Sequence, residues 1–296
     1  MPAKPSEFEE KEFEGTLYNQ LECSMRNVWS PGQVFENYLG IDRAALLQEP
    51  RLWRLFGVNR PPVGIFMHRL DWEFIWRTRP RRPMPNFRLN LFLQAKRSFY
   101  YRRRPRHLSG KMSAGACWRF DVEPHQQQAL ECVATRVGDR AIVAYAAPVF
   151  HRALELYAHT SRGTVAAHST FPRAEMLRGH LAWYYRLPGA RGVANPNPEE
   201  VEGVGLLEFL ESVQVERLPD SQGTVSVNLA SLSRLIRTAL AEDVPDDNPR
   251  KAIWSELTRQ IDPIIESYEG AGESAQSFMQ VAAFATAFNL DWYIVG

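Results

Sequence analysis

The stretch RAIVAYAAPVF at 140–150 offers no polar face: after Arg140 every side chain is apolar or aromatic. A strand of this kind is stable only when covered on both sides, so the chain is expected to build layers on either face of a sheet. Upstream, FRLNLFLQAKR (87–97) alternates, with Phe87, Leu89, Leu91 and Leu93 on one face and Arg88, Asn90, Phe92 and Gln94 on the other. Between the two strands a helix is expected over Pro124–Val137, with proline in its first turn and Gly138 near its C-terminal end. Strand, helix and buried strand in this order point to an α/β fold.

The rest of the chain extends that pattern. Residues 1–8 read as a loose tail and 9–50 as helical, with a break near Ser30-Pro31-Gly32 and with Phe13, Leu17, Leu21 and Val28 on or near one face. PPVGIFMHRL (61–70) reads as a strand. DWEFIWR (71–77) alternates strictly, with Trp72, Phe74 and Trp76 opposite Asp71, Glu73 and Ile75, and the proline- and arginine-rich 77–86 is a loop or hairpin tip. A short strand at Trp118–Val122, a helix over His151–His159 and a strand over Thr164–His168 are expected to follow. After NPNPEEVEG, read as a linker or turn, three or four amphipathic helices are expected, the last running through SAQSFMQVAAFATAFNLDWYIV. The division that follows is an α/β domain over 1–194 and an acidic helical region over 195–296.

Charge separates the same two parts. From Arg69 to Lys111 there are thirteen Lys/Arg against Asp71 and Glu73, whereas 195–296 holds six basic and seventeen acidic residues. With 45% hydrophobic and 23% charged residues the whole is neither disordered nor collagen-like, and no apolar run approaches the roughly 20 residues of a membrane span. The acidic, polar start has no apolar core of a secretory signal, and Cys23, Cys117 and Cys132 form no CxxC pair. A reduced, cytoplasmic protein without a usual structural zinc site is expected. Arginine suits bidentate phosphate contact, and Trp72, Trp76, Phe87, Phe99, Tyr100 and Tyr101 interleave with the basic residues. Nucleic acid is therefore the expected partner, DNA in preference to RNA, with Arg77, Arg79, Arg81, Arg82, Arg102, Arg103, Arg104 and Arg106 on its backbone. The competing reading pairs these arginines with the acidic C-terminal part or with a partner protein.

Chemistry is concentrated in Asp71 and, 23 residues later, Gln94-Ala95-Lys96 at the end of a strand. Phosphodiester hydrolysis needs a hard cation on oxygen ligands, which lowers the pKa of a bound water and stabilises charge on the phosphate. A carboxylate on one strand and the Gln94 amide on its neighbour supply such ligands. Lys96, two residues on, shares the face of Gln94. This arrangement resembles the PD-(D/E)xK nuclease superfamily in its QxK, Mrr-like branch, over roughly residues 10–170. The resemblance implies a restriction-endonuclease-like mixed sheet flanked by helices, followed by the C-terminal helical region. It also implies a Mg²⁺- or Mn²⁺-dependent endonuclease in restriction or anti-phage defence, and a homodimer. Asp71 would be the metal-binding acid, Gln94 the second ligand and Lys96 the catalytic lysine, with Glu22, or Glu14 behind it, completing the site from the first helix. Two features depart from the pattern: Leu70 stands where proline precedes the acid, and Glu73 competes with Asp71 for the metal. The alternative is a non-catalytic nucleic-acid-binding or assembly protein, whose acidic helices contact a partner. The histidines 125, 151, 159, 168 and 180 show no HxH or HExxH spacing and read as packed or surface residues.

Overall fold

Alternation along the QxK strand sets the layers. The computed structural model describes residues 3–24, 28–29, 89–189, 191–202, 205–212, 221–266 and 273–295. Strand β3 (Leu89–Ala95) turns Leu89, Leu91, Leu93 and Ala95 to one side, against Phe13, Leu17, Tyr18 and Leu21 of helix α1 (Glu10–Ser24). Phe92 turns to the other, edge-on to Phe284 at 5.3 Å and stacked with Trp292 at 6.1 Å. Every residue of β6 (Ala141–Pro148) is buried, as its lack of a polar face requires.

Among the described residues the fold is mixed α/β, with two sheets and seven helices. The first sheet has the order β2 (Val28–Trp29), β11 (Asp291–Val295), β3, β6, β7 (Ser169–Thr170). β3 and β6 are parallel, from Asn90 opposite Ala141 to Ala95 opposite Ala146, and β11 lies antiparallel to both β2 and β3. The parallel pair is bridged by helix α2 (Pro124–Val137), whose N-cap Glu123 accepts from the backbone N–H groups of His125 and Gln126, and which Gly138 ends at φ +54°. The second sheet is antiparallel throughout: β1 (Lys4–Pro5), β4 (Phe99–Tyr101), β5 (Cys117–Asp121), β8 (Ala182–Tyr185), β9 (Arg191–Asn195), β10 (Glu199–Glu202).

The larger core lies between Phe92, Val143 and Tyr145 of the first sheet and Phe120, Trp183 and Tyr185 of the second, closed by α2, α5 (Ser221–Thr238), α6 (Pro249–Glu266) and α7 (Glu273–Ala287). The smaller core lies on the α1 side, with α3 (Ala153–Arg162) and α4 (Leu206–Ser212). No helix among the described residues is long and apolar enough to cross a membrane.

Several expectations need correction. Residues 3–8 are not loose: β1 pairs with β4, the Ser6 hydroxyl donates to the Ser98 carbonyl at 2.9 Å, and Phe8 is buried. The helix expected to reach Val28 ends at Ser24, and Val28 begins β2. Thr164–His168 is not a strand. It closes as a 3-10 turn, with Ser169 donating to the Val165 carbonyl, and extended backbone starts only at Ser169. The turn expected in NPNPEEVEG is present at Pro196–Pro198, but it joins two strands, β9 and β10, as a hairpin, with Asn197 at a positive φ of 60°. The last helix stops at Ala287, because Asn289 adopts φ +52° and Leu290 N–H bonds back to the Ala285 carbonyl at 2.8 Å. DWYIV then becomes β11, so the C-terminal region supplies a strand to the centre of the first sheet.

Candidate functional site

Gln94 and Lys96 lie at the C-terminal end of β3, where the ladder to β6 runs one bond further, from Lys96 N–H to the Ala146 carbonyl at 2.8 Å. Ala95 between them packs toward α1, so the two polar side chains share the face of Phe92 and Tyr145. The Gln94 side chain is 2% exposed, and its Oε1 is buried with no hydrogen-bond partner among the described residues. The Lys96 ammonium stands 5.6 Å from the centroid of the Tyr145 ring. Burial lowers its pKa, the charges of Glu10, Glu123 and Asp121 partly restore it, and Arg250 works with burial. No carboxylate among the described residues forms an ion pair with it.

The wall beside this pair is fully bonded. Tyr145 Oη donates to Gln127 Oε1 at 2.5 Å, and Gln127 Nε2 donates to Glu131 at 2.6 Å and to the Ala174 carbonyl at 2.8 Å. Burial pushes the Tyr145 hydroxyl far above its ordinary pKa, so it remains a donor.

The acids expected to join Gln94 and Lys96 are distributed differently. Asp71 and Glu73, with Arg77, Arg79, Arg81 and Arg82, fall outside the described residues. Both hydrogen-bonding edges of β3 are taken, by β11 along Leu89–Leu93 and by β6 along Asn90–Ala95. Glu22 and Glu14 ride on α1, which covers the opposite face of the sheet, so the structure does not bring them to the Gln94–Lys96 pair. Their charges act instead on Asp291, at the start of β11 opposite Leu93. Its carboxyl is pushed up to about 6, chiefly by burial and then by Glu14, while Lys11 and the Tyr18 hydroxyl pull the other way. A helix periodicity identifies an inward face without saying which side of the sheet it will cover.

The basic residues divide into paired and unpaired sets. Arg97 meets Glu9 at 3.1 Å and donates to the Ser6 carbonyl at 2.7 Å. Arg119 pairs with Asp121 and lies 5.5 Å over the Tyr184 ring. Arg102, Arg103, Arg106 and Lys111 are exposed and make no ion pair among the described residues. Arg104 is tied to neutral acceptors, the Met112 carbonyl and, at 3.3 Å, Ser109 Oγ. The acidic C-terminal residues described here do not neutralise this loop: Glu242 and Asp243 hold Arg136, Asp246 holds Lys251, and Glu256 holds Arg259. Two further arginines, 186 and 191, line the cleft beside it. In the sequence they bracket a Leu-Pro-Gly turn between two short strands, a signal that only recognition of those strands makes readable.

Four of the histidines contact neighbouring side chains or backbone, while His125 and His168 are exposed. His151 stacks on Tyr100 at 4.0 Å, His159 and His168 lie ring to ring at 4.0 Å with Thr164 bonded to both, and His180 bonds the Pro196 carbonyl at 2.8 Å. Among the described residues no three His, Cys, Asp or Glu side chains form a group that would hold a metal ion. No protein-family model, curated protein or solved structure matches the chain.

Proposed function

We propose that the chain is a metal-dependent nuclease of the restriction-endonuclease-like class, with the QxK strand as its catalytic edge and the 102–111 loop as part of its nucleic-acid surface. One observation carries this reading: a buried amide oxygen and a half-buried lysine, the first without a hydrogen-bond partner and the second without an ion pair among the described residues, lie two residues apart at the C-terminal end of a parallel strand. Both cost stability where they stand, and perturbed groups at such strand ends are a mark of function. Gln94 Oε1 is the hard oxygen donor that Mg²⁺ or Mn²⁺ takes, and Asp71 and Glu73 would provide the charged ligands. When bound, the ion supplies charge neutralisation at the phosphate and acidifies a water. Lys96 orients that water or offsets charge at phosphorus, and the exposed arginines hold the backbone on either side. The free thiols of Cys117 and Cys132 suit a reducing, cytoplasmic setting.

The test is incubation of the full chain with plasmid DNA, single-stranded DNA and RNA in Mg²⁺, Mn²⁺ or EDTA. Cleavage that is lost in EDTA and in Lys96→Ala, with binding retained, is expected. The second reading, a nucleic-acid-binding protein that does not cut, is favoured by the exposed Arg102, Arg103 and Arg106. It would be upheld by binding without cleavage under every metal condition.

A further inference from the structure

Beside the basic loop, a cleft of about 580 Å³ opens between residues 104–113 and the turn that joins β8 to β9. Four cations line it, Arg104, Lys111, Arg186 and Arg191, against the single carboxylate of Glu200. Glu200 meets Arg191 at 2.7 Å, with Glu202 at 4.0 Å from the same guanidinium, and among the described residues the other three cations form no ion pair. Two of these are held in place before any ligand arrives. Arg186 Nε donates to the Ala116 carbonyl at 3.0 Å and its Nη1 to Ser113 Oγ, while Arg104 donates to the Met112 carbonyl and to Ser109. Carbonyls and hydroxyls fix a guanidinium without neutralising it, and each of these groups keeps donors to spare out of its five N–H.

The backbone is shaped for the same contact. Gly115 has φ +125°, and a Cβ there would stand 2.7 Å from Nη2 of Arg186, so the glycine clears the seat of the arginine. Preset guanidiniums with spare donors and no acid match the oxygens of a phosphate ester. Arg102, Arg103 and Arg106 are exposed on the same loop as Arg104, a run of charge that suits a chain of phosphates better than a single one.

We infer that this cleft seats the phosphodiester backbone of a nucleic-acid strand, with Arg104 and Arg186 as fixed anchors, Lys111 as a mobile third contact and Glu200 as the group that restrains Arg191. This rests on the reading that the chain acts on nucleic acid, and it adds a backbone site away from the QxK edge. It is tested by fluorescence anisotropy of a labelled single-stranded oligonucleotide on the full chain, over a range of salt, with inorganic pyrophosphate and ATP as competitors. Lys111→Gln, on an exposed side chain, is expected to weaken binding about three- to tenfold and to reduce the salt slope by about one. Arg186→Gln is expected to weaken it tenfold or more. The double variant Glu200→Gln with Glu202→Gln is expected to tighten binding severalfold by freeing Arg191, a gain that partial misfolding would not imitate. Oligonucleotide binding by the wild type that none of the three variants alters overturns the cleft and leaves the nucleic-acid reading standing. No oligonucleotide binding by the wild type overturns both. Displacement of the oligonucleotide by equimolar ATP or pyrophosphate overturns the strand as occupant.

Discussion

Tyr145 is the register partner of Gln94 across the parallel pair β3–β6, yet its hydroxyl donates to Gln127 on α2, and the Gln94 amide oxygen is buried with no hydrogen-bond partner among the described residues. A donor therefore lies close by and is committed elsewhere. That commitment keeps an acceptor open in the interior, where an unmet oxygen costs roughly 1–3 kcal/mol.

Gln94→Leu, close in volume and without the oxygen, is expected to leave the metal-free fold as stable or to raise its melting temperature by about 2–4 °C. The same variant should lose any rise in melting temperature that Mg²⁺ or Mn²⁺ gives the wild type. Differential scanning fluorimetry with each metal and with EDTA measures both effects. An unchanged metal response would remove Gln94 from the ligand set.

Lys96→Met should abolish cleavage, hold oligonucleotide binding within about twofold and raise stability by about 1 kcal/mol, since sites shaped for activity commonly sacrifice stability. Burial lowers the Lys96 pKa in the fold below its unfolded value of 10.5. The charged amine thus weighs on the native state at neutral pH, and stability is regained as pH rises through the depressed pKa toward 10.5. Urea melts at pH 7 and pH 10 should show the advantage of the methionine variant shrinking at the higher pH.

How much of this could be read from the sequence depended on whether the partners of a segment were local. β3, α2 and β6 were legible because alternation, a proline at the helix start and an unbroken apolar run carry their own instructions. β11 was hidden because WYIV follows a helix directly and is as apolar as the helix itself. Only Asn289 marks the boundary, and the reason for a strand there lies in β3. AWYY at 182–185 escaped notice as a strand because four residues give too short a pattern without β5 and β9 beside them. Within the candidate site, the spacing of Gln94 and Lys96 placed them on one face, as observed. The place of the first-helix glutamates was not legible because the side of the sheet that α1 covers is a tertiary choice. The arginines stood out by residue type, but which are neutralised and which are tethered by carbonyls depends on contacts such as Arg186 with Ala116, 70 residues apart.

Asp291 gives a pH signature separate from the QxK edge. Its carboxyl titrates at about 6 in the fold against 3.8 when unfolded, so the native state holds the extra proton between those values. Its contribution to stability is then fully present below about pH 4, declines as pH rises through 4–6 and is gone above. Asp291→Asn should remove that decline and raise the melting temperature at pH 7 more than at pH 4, measured by circular dichroism melts across the range. Equal gains at both pH values would contradict the assignment.

Deletion of residues 291–296 is expected to prevent folding outright. It would strip β3 of its antiparallel neighbour and remove Trp292, Tyr293 and Ile294 from both cores. Far-ultraviolet circular dichroism and a gel-filtration profile of the shortened chain should show an aggregated or unfolded species, whereas a native-like monomer would mean that the strand is dispensable.

Trp292 bonds to Asn90 across 202 residues of chain. While the protein emerges from the ribosome, one flank of β3 is thus a bare row of amides and carbonyls until β11, 202 residues further on, has followed. A nascent chain in that condition invites pairing with strangers. Its yield in the cell should therefore hinge on shielding by chaperones during synthesis, and slowing translation between β3 and β11 should harm it more than slowing it before β3.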